Sequence, residues 1–322
     1  MNIINAENLT KSYTERKLLD KASFYLQEGE KVGVIGINGT GKSTLLKIIA
    51  GLEEPDEGQV TCANHIVVRY LPQNPVFDPE MTVLDSVLTQ CVLNFVGSER
   101  SERTDADAHA HAQEQKWSLE SDAKSMMTRL GITDFTQKTG ELSGGQRKRL
   151  ALVAALLVPC DVLILDEPTN HLDMESIRWL ENFLRAYKGT VVIVAHDRYF
   201  LDRVVTKVVE IFQHKAYVYQ GNYSDFAKKK AKVREDLLKQ YYNQQREIRH
   251  QEEVITKLKS FNREKSIKRA ESREKMLDKI ERIEKPVEDN TDIKIVLEPN
   301  VVSGNDVLTV SNLAKSYPPV TL

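Results

Sequence analysis

The sequence predicts an α/β fold with a mixed β-sheet core, an antiparallel β subdomain and a helical subdomain, followed by an α-helical hairpin. Two observations predict the core. The apolar residues Val32 and Val34 lead into a glycine-rich loop, and Val162 to Leu165 form a continuous apolar run, typical of a parallel strand covered on both faces. A third observation, the basic segment Lys228 to Lys285 with helical periodicity, predicts the hairpin. A length of 322 residues suggests about two domains.

The glycine-rich loop fits the pattern G-x-x-x-x-G-K-[ST] and reads Gly36-Ile37-Asn38-Gly39-Thr40-Gly41-Lys42-Ser43-Thr44. Its three glycines let successive backbone N–H groups converge on a phosphate, and the helix beginning near Lys42 directs its positive dipole end to the same place. We expect Lys42 to contact the β- and γ-phosphates and the Ser43 hydroxyl to complete the coordination of Mg²⁺. The loop therefore predicts a site for a nucleoside triphosphate.

A second anion-binding motif lies at Leu142-Ser143-Gly144-Gly145-Gln146, directly before a predicted helix. A serine and two glycines ahead of a helix N-terminus present backbone N–H groups to an anion. One domain thus carries two predicted anion sites.

Two carboxylates end the apolar run at Asp166 and Glu167. In open α/β sheets, ligands bind at the carboxyl ends of the strands. We expect Asp166 to hold Mg²⁺, directly or through water, and Glu167 to polarise the attacking water. A helix-capping role for the pair is the alternative. His196 follows the next apolar strand and is expected to hydrogen-bond a γ-phosphate.

Other patterns exclude several functional classes. The three cysteines form no C-x-x-C pair and predict neither a metal site nor a disulfide framework. His109 and His111, in a polar interlude from residue 97 to 115 predicted to be a mobile loop, have no third ligand nearby. The N-terminus shows no export signal, and the longest apolar run, Leu150 to Val158, is too short to cross a bilayer.

Together with Gln73 and Asn170 to Asp173, these motifs resemble the ABC ATPase superfamily in their order and spacing over residues 1 to about 220. The resemblance implies a P-loop NTPase fold of ABC type with ATP and Mg²⁺ as ligands. It implies that Tyr13 stacks on adenine, that Gln73 contacts Mg²⁺ and the nucleophilic water, and that His196 contacts the γ-phosphate. It also implies that the second motif serves a nucleotide on a different ATPase domain across a head-to-tail dimer, through Ser143, Gly144, Gly145 and Gln146.

The basic segment contains 19 Lys and Arg against 11 Asp and Glu, a formal charge of +8. Its apolar residues recur at helical spacing and predict two antiparallel arms, the first about 30 residues or 45 Å long: Leu237, Tyr241, Ile248, Ile255 and Leu258, then Met276, Ile280 and Ile283. The tip, Lys257 to Arg273 with Phe261 and Asn262, has a charge that attracts phosphate backbones. A solvated coiled-coil face is the alternative.

A repeat begins near the C-terminus. Leu308 to Tyr317 matches Ile4 to Tyr13 at five of ten positions with a constant offset of 304. We expect a chain truncated at the start of a second ATPase domain. The predicted domains are an ATPase domain (1–222), a hairpin (223–290), a linker (291–305) and the first strands of the second domain (306–322).

This organisation resembles the ABC-F family of soluble translation factors, as do the segments Glu167 to Asp173 and Tyr219 to Ser224. That resemblance implies a cytoplasmic protein whose hairpin contacts rRNA and tRNA near the ribosome's peptidyl and exit sites, and the short break between the arms resembles the housekeeping Uup-type branch. The second ATPase half is expected in cis in the full-length protein or from a head-to-tail homodimer. A membrane transporter's ATPase subunit and a DNA-associated ABC ATPase remain alternatives, because they share the nucleotide motifs.

Overall fold

The structure, a computed structural model, describes residues 1–13, 16–93, 108–260 and 263–279, with residues 282, 285, 310–312, 314, 316–317 and 320–321. It divides into two compact units, Met1–Glu235 and Asp236–Leu322.

The core of the first unit is a six-stranded sheet in the order β5-β6-β7-β3-β8-β9. Neighbouring strands are parallel except β8 and β9, so the sheet is mixed, as predicted. Its strands are β3 (Lys31–Gly36), β5 (Val68–Leu71), β6 (Val162–Asp166), β7 (Thr190–Val194), β8 (Lys207–Phe212) and β9 (Lys215–Gln220). The carboxyl ends of the four strands from β5 to β3 meet at one edge.

Both faces of this sheet are covered, which explains the continuous apolar runs. Along β6, Ile164 packs in one buried apolar cluster, and Leu163 and Leu165 pack in another. The first cluster lies under a three-stranded antiparallel sheet ordered β2-β1-β4, formed by β1 (Asn2–Tyr13), β2 (Arg16–Gln27) and β4 (Glu57–Cys62). The predicted antiparallel β subdomain is confirmed.

The helices of the first unit are α1 (Lys42–Ile49), α2 (Val83–Leu93), α3 (Ala108–Arg129), α4 (Gly144–Leu156), α5 (Met174–Ala186) and α6 (Arg198–Val204). Helices α2, α3 and α4 pack on one another as the helical subdomain. The prediction of a loop up to residue 115 is wrong from Ala108 onwards, where α3 begins, because alternating alanines with Gln, Glu and Lys have high helix propensity. Residues 97–107 lie outside the described residues.

The hairpin consists of α7 (Tyr223–Ser260) and α8 (Glu264–Leu277). The arms are joined by hydrogen bonds from Lys259 to Glu274 (2.6 Å) and from Arg273 to Gln251 (2.6 Å). With 38 residues, α7 is about 57 Å long, longer than predicted. Phe261 and Asn262 lie outside the described residues.

The predicted apolar seam of the hairpin is only partly confirmed. Ile248 and Ile255 of α7 are buried, whereas Leu237 is 41% and Met276 is 68% exposed. The inward face of α8 follows the helical spacing of Ile267, Ala270, Glu274 and Leu277, so the neighbouring Met276 points outwards. Ile280 and Ile283 lie outside the described residues.

The C-terminal repeat shows the strand pairing of the N-terminus. In β1 and β2, Ser12 pairs with Lys17 and Tyr13 with Arg16. In β10 (Ser316–Tyr317) and β11 (Val320–Thr321), Ser316 pairs with Thr321 and Tyr317 with Val320. The offset of 304 thus holds for the described residue pairs of β10 and β11. Among the described residues, no helix has the length and apolarity needed to span a membrane.

Candidate nucleotide site

The phosphate loop joins the end of β3 to the start of α1, the order that its sequence predicted. Gly39 and Gly41 have φ values of +79° and +95°, in the left-handed region that favours glycine. A Cβ on Gly41 would lie only 3.1 Å from the Cβ of Leu18, so there is also little room for a side chain at this position. The backbone therefore wraps a concave loop at a helix N-terminus, the arrangement that binds phosphate.

Lys42 is folded back into this loop. Its Nζ donates to the carbonyl oxygens of Gly36 (2.9 Å) and Ile37 (3.0 Å). Burial lowers the pKa of Lys42, and the negative charges of Glu167 and Asp166 oppose that effect. The ammonium is thus held where it can exchange carbonyl oxygens for phosphate oxygens.

Asp166 ends β6 beside the Ser43 hydroxyl and is only 2% exposed. The Tyr70 hydroxyl donates to its Oδ2 at 3.4 Å, and its Oδ1 is buried with no hydrogen-bond partner among the described residues. Burial is the largest cause of the raised pKa of Asp166. A carboxylate oxygen without a partner, next to a hydroxyl, fits Mg²⁺, which prefers oxygen ligands and usually takes only one or two carboxylates.

Glu167 is held by three side chains. Gln73 Nε2 donates to its Oε2 at 2.8 Å, Asn170 Nδ2 donates to the same oxygen, and His196 Nε2 lies 3.1 Å from its Oε1. Its φ of +53° is unusual for a residue with a side chain. The three predicted catalytic residues, Glu167, His196 and Gln73, are therefore adjacent. Gln73 directs its amide nitrogen to Glu167, and its assignment as a Mg²⁺ ligand remains a prediction.

One cavity joins the phosphate loop to this carboxylate. It has a volume of about 310 Å³. Its lining consists of Leu18, Asn38, Gly39, Gly41, Lys42, Ser43, Thr44, Gln73 and Glu167. A triphosphate with its end at Lys42 would therefore meet Glu167.

Tyr13 lies on β1 but does not line this cavity. It is 45% exposed, and its hydroxyl donates to Glu53, which is the main cause of its raised pKa. Stacking on adenine remains a prediction. Nearby, Arg16 donates from Nη2 to the Gly39 carbonyl oxygen at 3.1 Å.

The second anion motif lies at the start of α4. Ser143 caps the helix: its Oγ accepts from Gln146 N (3.3 Å), and Gln146 Oε1 accepts from Ser143 N (2.9 Å). A Cβ on Gly144 would meet nothing within 4 Å. None of the residues from 143 to 146 lines the described cavity, so the structure does not bring this motif to the phosphate loop of the same domain.

Sequence reasoning assigned no site role to two neighbours of the site, Tyr70 and Asn170, although Asn170 begins a segment that contributes to the family resemblance. Tyr70 lies in an apolar strand, and Asn170 lies in a turn where asparagine is common. Their contacts with the two carboxylates become visible only once the strands are placed side by side.

Comparison with known proteins gives two family matches. Models described as "ABC transporter" match residues 19–170 and residues 209–295. The chain is 42% identical over 249 residues to an uncharacterised ABC transporter ATP-binding protein, YfmR, of Bacillus subtilis, covering 72% of this chain and 39% of that protein. It is 35% identical over 331 residues to the energy-dependent translational throttle protein EttA of Haemophilus influenzae, covering 96% of this chain and 58% of that protein. The chain thus spans about half the length of these relatives.

Solved structures share the fold. An ATP-binding subunit of an ABC transporter matches with a TM-score of 0.57 and 21% identity, covering 68% of this chain and 90% of that one. A dimeric ATP-binding cassette in a post-hydrolysis state, bound to ADP and Pi, matches with a TM-score of 0.56 and 23% identity, covering 68% and 98%.

Proposed function

Because this chain belongs to the ABC transporter family of ATP-binding proteins, we propose that it binds Mg²⁺–ATP in the cavity beside Lys42. In this proposal Glu167 is the general base for ATP hydrolysis, and the hydrolytic cycle is used on the ribosome. The observation that carries the proposal is the position of Glu167, fixed by hydrogen bonds at the wall of the cavity that the phosphate loop lines. The ribosomal part is supported by similarity to proteins named translational throttles.

The contacts support a role for each side chain. Lys42 exchanges its carbonyl partners for β- and γ-phosphate oxygens. Glu167 Oε1 takes a proton from water as the water oxygen attacks the γ-phosphorus, and the bond from phosphorus to the β–γ bridging oxygen breaks to give ADP and phosphate. His196, whose Nε2 lies 3.1 Å from Glu167 Oε1, would contact the γ-phosphate, as the family resemblance implies. Ser43 and Asp166 would hold Mg²⁺, which neutralises charge on the phosphate oxygens when bound.

A second ATPase half completes the site in this proposal. Ser143, Gly144, Gly145 and Gln146 are expected to contact a nucleotide held by the other half, in cis or in a head-to-tail homodimer. Two observations support this: none of these residues lines the cavity of their own domain, and a solved structure with this fold is dimeric. The repeated strand pairing of β10 and β11 supports a second ATPase domain in cis.

The hairpin is the proposed RNA-binding element, with rRNA and tRNA near the peptidyl and exit sites as its targets. Its charge of +8 and the exposure of Arg263 and Arg269 near the break support this role. Phosphate contacts of this kind need no base readout. The short break between α7 and α8 supports the Uup-type branch, and ribosome binding places the protein in the cytoplasm.

Ribosome co-sedimentation tests the proposal. With ATP, the Glu167→Gln variant should pellet with ribosomes more than the same variant without nucleotide, because it binds ATP and cannot split it. A Lys42→Met variant is the matched control and should show no nucleotide effect. Equal pelleting of Glu167→Gln with and without ATP contradicts the proposal, and co-purification with a membrane permease would favour the transporter alternative.

The hairpin has its own test. Replacing Arg263 and Arg269 with alanine should weaken ribosome binding and reduce the slope of log affinity against log salt by about two, since each lost phosphate contact removes about one counterion. An unchanged slope would contradict phosphate contacts by the hairpin and would indicate that its basic residues form only a solvated face.

A further inference from the structure

The boundary between the two compact units does not lie where the hairpin begins. The first unit ends at Glu235, whereas α7 begins at Tyr223. About three turns of α7 therefore belong to the ATPase domain. Because α7 continues without a break to Ser260, a change in the direction of these first turns is carried along the helix.

The first contact that holds α7 is a hydrogen bond to α6. Asp202 of α6 accepts from the backbone N–H of Ser224 at 2.6 Å with its Oδ1. The helix does not need this bond in order to begin, because its own cap residue Asn222 accepts from Asp225 N at 3.0 Å. A carboxylate also interacts favourably with the positive end of a helix dipole. The Asp202 bond therefore fixes the start of α7 against α6.

The second contact lies six residues further along α7, about 9 Å along its axis. Lys230 donates to Glu210 Oε1 of β8 at 2.6 Å, and Glu210 is only 6% exposed. The Lys230 ammonium also lies 5.5 Å from the ring centre of Phe212 and 5.9 Å from that of Phe226. Water and salt screen a partly buried ion pair much less than an exposed one. This pair therefore holds α7 against β8.

Both contacts involve elements that lie next to the nucleotide site. Glu210 pairs with Ile35 of β3, the residue directly before the phosphate loop. Helix α6 begins two residues after His196, whose Nε2 lies 3.1 Å from Glu167 Oε1. A rearrangement at the site that moves β8 or α6 would therefore act on the first turns of α7.

We propose that Asp202 and Glu210 are positioning residues for the hairpin: together they fix the direction of α7, so that a nucleotide-driven movement of the ATPase domain moves the hairpin. One contact alone would let α7 rotate about it, whereas two contacts about 9 Å apart fix its direction. With a length of about 57 Å, α7 converts a rotation of about 5° at its start into a displacement of about 5 Å at its far end. The inference rests on the proposed function, because it assumes ATP-dependent ribosome binding.

Ribosome affinity with and without ATP, measured in the Glu167→Gln background, tests the inference. The variants are Asp202→Ala, Glu210→Leu and the combination of both, and leucine keeps a similar volume at the buried position. In each single variant, the ratio of affinity with ATP to affinity without ATP should fall towards one by about 2- to 30-fold. Loss of one helix cap changes a local equilibrium by a factor of about this size. Both substitutions lie outside the hairpin, so the slope of log affinity against log salt should not change.

The double variant separates a shared role from independent damage. If α7 needs both contacts to keep its direction, the double variant should lose no more of the ratio than the more affected single variant. Steady-state kcat in protein with Glu167 intact should stay at the wild-type value for all of these substitutions, since neither Asp202 nor Glu210 lines the described cavity.

Two control variants accompany the test. Asp202→Asn keeps an acceptor oxygen and is a preferred cap residue, so it should keep most of the ratio. Asp161→Ala removes a bond of the same kind, from Val67 N to Asp161 Oδ2 at 2.7 Å, in the segment directly before β6. Because this bond involves neither α6 nor α7, the ratio should not change.

Several results would overturn the inference. These are an unchanged ratio in either single variant, an equal loss of affinity with and without ATP, additive losses in the double variant, or the same loss in Asp161→Ala. The failure of the proposed function looks different, because the Glu167→Gln parent itself would then bind ribosomes equally with and without ATP.

Discussion

Replacing Asp166 with asparagine should have opposite effects with and without Mg²⁺. Without metal, the carboxylate is a buried charge whose Oδ1 has no hydrogen-bond partner among the described residues. Asparagine keeps an oxygen for the Tyr70 hydroxyl and can turn its amide towards Ser43. The variant should therefore be more stable than the wild type in EDTA, and it should lose the stabilisation that Mg²⁺–ATP gives the wild type.

The size and the pH dependence of this gain in stability follow from the burial of Asp166. An unsatisfied buried polar group costs about 1–3 kcal/mol, and 1 kcal/mol raises Tm by about 2–4 °C in a domain of this size. Burial raises the pKa of Asp166, so the folded state favours the protonated form. The destabilisation is absent below the unfolded pKa of about 4, grows as pH rises from there towards the raised folded pKa, and is complete above the folded pKa. The gain from asparagine should therefore be largest near neutral pH and should vanish in acid.

Equilibrium unfolding in EDTA between pH 4 and pH 8 measures this gain. Asp56→Asn is the matched control, and its expected change in unfolding free energy has the opposite sign. The reason is that a hydrogen bond from Lys11 lowers the pKa of Asp56. Its stabilising contribution is present above pH 4 and is lost in acid, so that variant should be less stable than the wild type near neutral pH. A loss of stability in metal-free Asp166→Asn at pH 7 would contradict a destabilising Asp166 carboxylate.

Two further predictions concern the glycines. Gly41→Ala should lose about 1–3 kcal/mol of unfolding free energy and most of its ATP affinity, because its φ is +95° and Leu18 closes the space; equilibrium unfolding and ATP titration check this, and wild-type values for both would refute the loop geometry. Gly144→Ala should keep its stability, since a Cβ there meets nothing within 4 Å, but should lose hydrolysis, because the methyl group would meet the nucleotide of the other half. Normal hydrolysis would contradict the shared site.

Much of the fold and of the site could be predicted because both depend on regular patterns in the sequence. Strands buried on both faces are continuously apolar, and the phosphate loop needs glycines at fixed spacing. The positions of Asp166 and Glu167 could be predicted because both directly follow the apolar run of β6. The hydrogen bond from Asn170 to Glu167 could not be predicted this way, because it joins two side chains across a turn. The outward position of Met276 could not be predicted, because it depends on which face of α8 meets α7. On that face the inward residue is Leu277, the next residue along the chain.

The proposed function requires that the cavity at Lys42 binds ATP and that Glu167 acts as the base in its hydrolysis. The most direct measurement compares kcat and ATP affinity in one preparation of Glu167→Gln. We expect an ATP affinity equal to that of the wild type and a kcat lower by about 100-fold or more. A kcat close to the wild-type value, or an affinity that falls in proportion to kcat, would contradict it.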